Sequence, residues 1–140
     1  MSKPVSQEIF HLMRKVFQMH TATWQKEMPD VTKPQAAVLR TLQECPGIEQ
    51  VELMSAAVSS KATLAEMLRR LEQRELVYRQ LDPEDRRRRF VFLTEQGQQL
   101  VNELEPKWEY VDQLFLQQLS QSDQAQLSTL LTKLIHREGR

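Results

Sequence analysis

Residues 81–94 read LDPEDRRRRFVFLT: the carboxylates Asp82, Glu84 and Asp85 precede four consecutive arginines, Arg86 to Arg89, which run straight into an apolar segment. Clustered guanidinium groups suit phosphate or carboxylate binding, because each offers a planar fork of donors that matches two oxygens at once. Packed side by side they also repel one another, so the neighbouring acids must offset part of the charge. Asp85 and Arg87 flank a single residue in a tight turn. They can pair, which holds the loop and leaves Arg86 and Arg88 pointing outward. Arg89, entering the apolar segment, can reach a neighbouring phosphate. A charge run can also be no more than a solvated loop, so its meaning depends on the elements around it.

A second constellation lies nearer the N-terminus. His20 shares an apolar helical stripe with Phe10, Phe17 and Trp24, Arg14 lies nearby, and Arg40 sits in the next helix beside Ala36 and Leu39. An apolar slot with an indole wall and a cation would suit a small aromatic acid. The same stripe would serve as core or dimer interface, with His20 a satisfied structural residue, and Trp108 reads as dimer core. Other chemistry is sparse. His11, His20 and His136 are the only histidines and form no dense ligand pattern, so no metal is expected. With three glycines in 140 residues there is no glycine-rich phosphate loop, and no cofactor is expected. Cys45 is the single cysteine. It has no cationic neighbour to stabilise a thiolate and reads as a passive thiol. Nothing here points to an enzyme.

The chain balances 19 Lys and Arg against 19 Asp and Glu, with 40% hydrophobic residues. A net charge of zero argues against a nucleic-acid partner only on average; the local field decides. The length suits one domain with one core. No long apolar run suggests a membrane span and no signal-peptide block is present, so a cytoplasmic protein with no membrane association is expected.

These residues must be positioned by the surrounding elements. Residues 5–28 carry Phe10, Met13, Phe17, Trp24 and Met28 on one helical face, predicting a long amphipathic helix broken by Pro29. Thr32, Pro34 and Gln35 start a second helix, which stops at Cys45-Pro46-Gly47. A short helix over 49–56 precedes another in which Leu64, Met67, Leu68 and Leu71 form a buried stripe. The opposite face of that helix presents Ser59, Ser60, Ala62, Thr63, Glu66 and Arg69. Residues 76–81 and 89–93 are strands joined by a projecting loop, a two-stranded ribbon. Thr94 caps a long helix that Pro106 should kink, and Ser122-Asp123 starts a last helix bearing Leu127, Leu130, Leu131 and Leu134. The predicted fold is mostly α with a small β-wing: a winged helix-turn-helix over about 32–96, flanked by helices at 5–28 and 97–136, in a single domain over 1–140. Such units place their second helix in the major groove of double-stranded DNA, and the arginines stand on the finger beside it.

In order and spacing, residues 51–97 (VELMSAAVSSKATLAEMLRRLEQRELVYRQLDPEDRRRRFVFLTEQG) resemble the MarR family of bacterial winged-helix regulators. The pattern is an acid, a basic pair, then a strand ending Leu-Thr with a following Gly: here Asp85, Arg86, Arg87, Leu93, Thr94 and Gly97. The resemblance implies a repressor that binds a palindrome as a homodimer, with intertwined terminal helices. Ser60, Lys61, Ala62, Thr63 and Glu66 would then meet bases or nearby backbone. Arg86 would enter the minor groove, and Asp85 and Arg87 would be the wing's structural pair. The family's effector pockets lie between dimerisation helices and the DNA-binding lobe, where Arg14, His20, Trp24 and Arg40 would fall. The branch that responds to hydroxybenzoate-like acids is the most similar. Glu75 departs from the pattern, which has Gly where the recognition helix ends. A winged-helix module that binds DNA, RNA or protein without any ligand is the alternative.

Overall fold

The structure is a computed structural model that describes residues 5–57 and 60–137, the side chains of 5–7 excepted. Its elements are α1 (Val5–Glu27), α2 (Lys33–Glu44), β1 (Ile48–Glu49), α3 (Gln50–Ala56), α4 (Lys61–Gln73), β2 (Val77–Leu81), β3 (Arg89–Leu93), α5 (Glu95–Leu116) and α6 (Gln121–Ile135). The fold is mostly helical, with one small antiparallel sheet in the order β1-β3-β2. No described helix is long and apolar enough to cross a membrane.

The core forms where helical stripes meet one face of the sheet. Val38, Leu39 and Leu42 of α2, Leu53 of α3, Leu64, Leu68 and Leu71 of α4, Val91 of β3 and Val101 and Val111 of α5 are buried together. α2 begins with a full capping box: Thr32 Oγ1 accepts from Gln35 N, and Gln35 Oε1 accepts from Thr32 N. Two of the free amides at the helix start are thus satisfied.

Several expectations need correction. The sheet is three-stranded, because Ile48 and Glu49 pair with Val91 and Phe90. A strand this short carries no alternation to read. It is set by the turn before it, where Gly47 at φ +79° donates to Val91 O at 3.0 Å. The α1 stripe is only partly core: Trp24 and Met28 are buried, but Phe10 and Phe17 are 53% and 61% exposed. The cap of α6 is Ser120, whose Oγ accepts from Asp123 N, two residues ahead of the Ser122 start. α5 runs from Glu95 to Leu116 with Pro106 inside it.

The end of α4 explains how a family position for glycine holds Glu75. Leu76 N donates to Leu71 O and Glu75 N to Glu72 O, the paired bonds of a Schellman cap. That cap requires a left-handed residue, and Glu75 sits there at φ 60°. A Cβ in that region costs about 1–2 kcal/mol, part of which glycine returns through its freer unfolded chain. Glu75→Gly is therefore expected to stabilise the fold by about 0.5–1 kcal/mol, read as a raised urea midpoint at unchanged slope. A lowered midpoint would show that the strain is relieved elsewhere.

Candidate nucleic-acid interface and ligand groove

The front of α4 is built from its cap. Ser60 Oγ accepts from Thr63 N and donates to Thr63 Oγ1 at 2.8 Å, which orders the first turn. Lys61, Ala62 and Thr63 are exposed there. Ser59 lies outside the described residues. One turn on, Glu66 is clamped by two arginines: Arg69 donates through Nη2 at 2.6 Å and Arg70 through Nε at 3.0 Å. Hydrogen bonds from Arg69 and then Arg70 hold the Glu66 carboxyl down to about 2. Glu66 and Arg69 therefore stand on the exposed face as a fixed pair. Arg70, its second partner, was not singled out from the sequence; the (i, i+4) spacing from Glu66 was the available signal.

The wing tip is closed by its acids. Asp82 Oδ1 accepts from the amides of Glu84 and Asp85, and Asp85 Oδ1 accepts from both the amide and Nε of Arg87, at 3.0 and 3.1 Å. The Arg87 side chain, followed by its amide, holds the Asp85 carboxyl below its ordinary range. Arg88 does not point free of the wing. It donates through Nε to Glu49 at 3.0 Å, pairs with Asp82 at 3.5 Å and lies over the Phe90 ring. The physical reason is β1, which brings Glu49 alongside the wing and has no counterpart in a two-stranded ribbon. Arg86 is exposed, with no hydrogen bond or ion pair among the described residues. Arg89 is also exposed. With Lys61 and Arg87 it lines a cleft of about 560 Å³ between α3, α4 and the wing, closed on its apolar side by Val51, Met54 and Leu64.

At the other end of the molecule, His20 sits where α1, α2 and α5 converge. Its Nε2 lies 2.7 Å from Asp112 Oδ1 and its Nδ1 lies 3.0 Å from Lys33 Nζ. An ammonium only donates. Nδ1 must therefore accept, and the ring proton sits on Nε2, facing Asp112. The ring packs against Phe115 and Trp24, and Trp24 stacks on Trp108 at 6.5 Å. Trp24 Nε1 donates to Val31 O at 2.7 Å, whereas Trp108 Nε1 is buried with no hydrogen-bond partner among the described residues. Trp108, read from the sequence as dimer core, is buried in the core of the single chain.

Trp24 walls a groove of about 680 Å³ with Thr21, Met28, Lys33 and Pro34. Arg14 is not in its wall: that residue lines an adjoining, more open groove with Phe17 and Gln18, and Thr21 and Gln25 line both. Arg40 caps the Trp108 ring at 5.4 Å and faces Glu44 at 3.9 Å. The structure thus brings His20 and Trp24 together, sets Arg14 in the adjoining groove and places Arg40 over the Trp108 ring that stacks on Trp24. Sequence reasoning missed Lys33 and Asp112, which lie 13 and 92 residues from His20.

A model of the MarR family matches residues 31–88, the span from α2 to the wing tip. The transcriptional regulator HosA of Escherichia coli O111:H- is 52% identical over 127 residues, covering 91% of this chain and 94% of that protein. Among solved structures, the PcaV transcriptional regulator of Streptomyces coelicolor, in complex with its natural ligand, superposes with a TM-score of 0.90 at 28% identity, covering 97% of each chain. BpsR of Bordetella bronchiseptica, whose DNA binding is regulated by 6-hydroxynicotinic acid, does so at 0.84 with 32% identity, covering 91% of this chain and 98% of its own. With a half-identical regulator matched along nearly its whole length and the family model matched from α2 to the wing tip, this chain belongs to the MarR family of transcriptional regulators.

Proposed function

We propose that this chain is a sequence-specific DNA-binding regulator, a repressor that grips a palindromic operator as a homodimer and responds to a small aromatic carboxylate. The observation that carries the DNA reading is Arg86: an exposed cation without an internal partner among the described residues, on a wing where Arg87 and Arg88 are tied down, beside the open first turn of α4. A guanidinium so placed has a phosphate or a narrow minor groove as its natural partner. Acting on chromosomal DNA would place the protein in the cytoplasm.

Two features support the homodimer. Every hydrophobic side chain of α6 lies open to solvent, Leu130 at 55% and Leu134 at 49%. In α1, Ile9, Phe10, Leu12, Val16 and Phe17 are exposed as well. Those faces need a partner, and a second copy offers a self-complementary one. The effector reading is supported by the aromatic cluster at His20 and Trp24 and by the likeness to BpsR and PcaV. An acid acting through this cluster needs a differential of only about 1–3 kcal/mol between the two lobe spacings to control operator binding.

The test is a binding titration against the palindrome of the protein's own promoter region, whose half-sites should lie about one helical turn apart. Arg86→Ala is expected to weaken binding about tenfold or more and to flatten the salt dependence by about one unit for each phosphate that the protein ceases to neutralise. An unchanged salt slope would remove the wing from the interface. Binding that ignores base sequence would overturn the operator reading.

A further inference from the structure

Among the described residues that line the groove beside Trp24, Lys33 alone is charged. Its ammonium lies 3.0 Å from His20 Nδ1 and 5.4 Å from the centroid of the Phe17 ring. Among the described residues no carboxylate stands at ion-pair distance from it; Asp112 acts only from behind His20. Burial pushes the Lys33 amine below its ordinary range, and the Asp112 charge restores part of the shift. A half-buried ammonium in an apolar wall, partnered by a neutral ring nitrogen, is an unfinished ionic site. A carboxylate entering the groove would supply a charge-assisted bond in place of a neutral one. The indole of Trp24 and the side chains of Met28 and Pro34 offer its aromatic body an apolar seat.

We propose that Lys33 is the carboxylate-binding residue of this groove, and that a bound acid replaces His20 Nδ1 as its partner. This rests on the aromatic-acid reading above, and it names the residue and the exchange which that reading leaves open. The exchange has a mechanical side. Lys33 is the first residue of α2 and Asp112 belongs to α5, so His20 of α1 is the polar link among three helices. Drawing Lys33 toward an acid opens that link at α2, where the helix-turn-helix begins. Ligand occupancy is thereby coupled to the seating of the DNA-facing unit on the long helices.

The test uses the full-length protein and its Lys33→Met variant, each shown to be folded by circular dichroism. Both are titrated with 6-hydroxynicotinic acid and 4-hydroxybenzoic acid, and with the corresponding uncharged amides. Fluorescence of Trp24 and Trp108, stacked beside the groove, reports binding. The variant is expected to lose about 10- to 100-fold in affinity for the acids and little for the amides. Acid binding by Lys33→Met as tight as by the parent protein overturns the proposal and leaves the effector reading standing. An equal loss for acids and amides also overturns it, since charge recognition would then not be the cause. If neither acid binds the parent protein, the effector reading falls, and the Lys33 assignment with it.

Discussion

Gly97→Ala is expected to lower the thermal midpoint by about 10 °C, a loss of about 3 kcal/mol. Alanine in a helix normally gains about 1 kcal/mol over glycine, so the sign of the effect is diagnostic. Gly97 lies in the first turn of α5, and a Cβ built there would stand 2.0 Å from the carbonyl oxygen of Leu76. That oxygen belongs to backbone and already accepts the Thr94 amide at 3.0 Å. Thr94 Oγ1 in turn donates to Glu75 O at 2.6 Å and accepts from Gly97 N at 2.9 Å. The methyl therefore meets a junction that joins the end of α4, the start of β2 and the start of α5. Relief requires moving a helix away from a strand and stretching bonds that cap both. Measured by thermal denaturation at fixed protein concentration, because association shifts the midpoint, a change within two or three degrees would show that the junction yields.

The second large effect concerns α6. Leu130→Glu with Leu134→Glu places two charges one turn apart on a face that is exposed in the single chain. If that face were merely solvated, the double variant would be silent, because surface substitutions usually change stability by less than about 0.5 kcal/mol. Buried against a second copy, the carboxylates would be stranded without partners. The variant should then run as a monomer by light scattering. Its operator affinity should fall by about 100-fold or more, since linkage of the two half-sites is removed. Circular dichroism must show the helix-turn-helix still folded. A dimeric variant with parental affinity would send the α6 face to another role.

Much of the architecture was legible because it follows from local rules. Thr32 with Gln35, and Thr94 ahead of α5, mark helix starts through caps that the structure makes as the residue types require. The Leu64–Leu71 stripe marks the buried side of α4 through spacing alone. What escaped is non-local or too short for periodicity. β1 has two residues, and its pairing partner is 43 positions away, from Ile48 to Val91. Without it Arg88 looked free, because Glu49 had no reason to be near. The exposure of Phe10 and Phe17 could not be told from burial, since a stripe destined for another chain has the same pattern as one destined for the core. Lys33 lies within the helix-start stretch 32–35 and carries no signal of its own there; its place at His20 comes from how α2 meets α1, which no window along the sequence contains.

The matched acids around α4 and the wing have a consequence for how such a regulator would behave among millions of wrong sequences. Glu66 occupies Arg69 and Arg70, Glu72 occupies Arg79, Asp85 occupies Arg87, and Glu49 and Asp82 occupy Arg88. Arg86, Arg89, Lys61 and Arg74 are left without an ion pair among the described residues, Arg74 donating instead to the Asp30 carbonyl. Attraction to random duplex scales with the number of phosphates neutralised, so a surface this frugal in free cations would hold bulk chromosome weakly. Few copies would be lost to idle stretches of the genome, and a small pool of protein would suffice to keep one promoter silent.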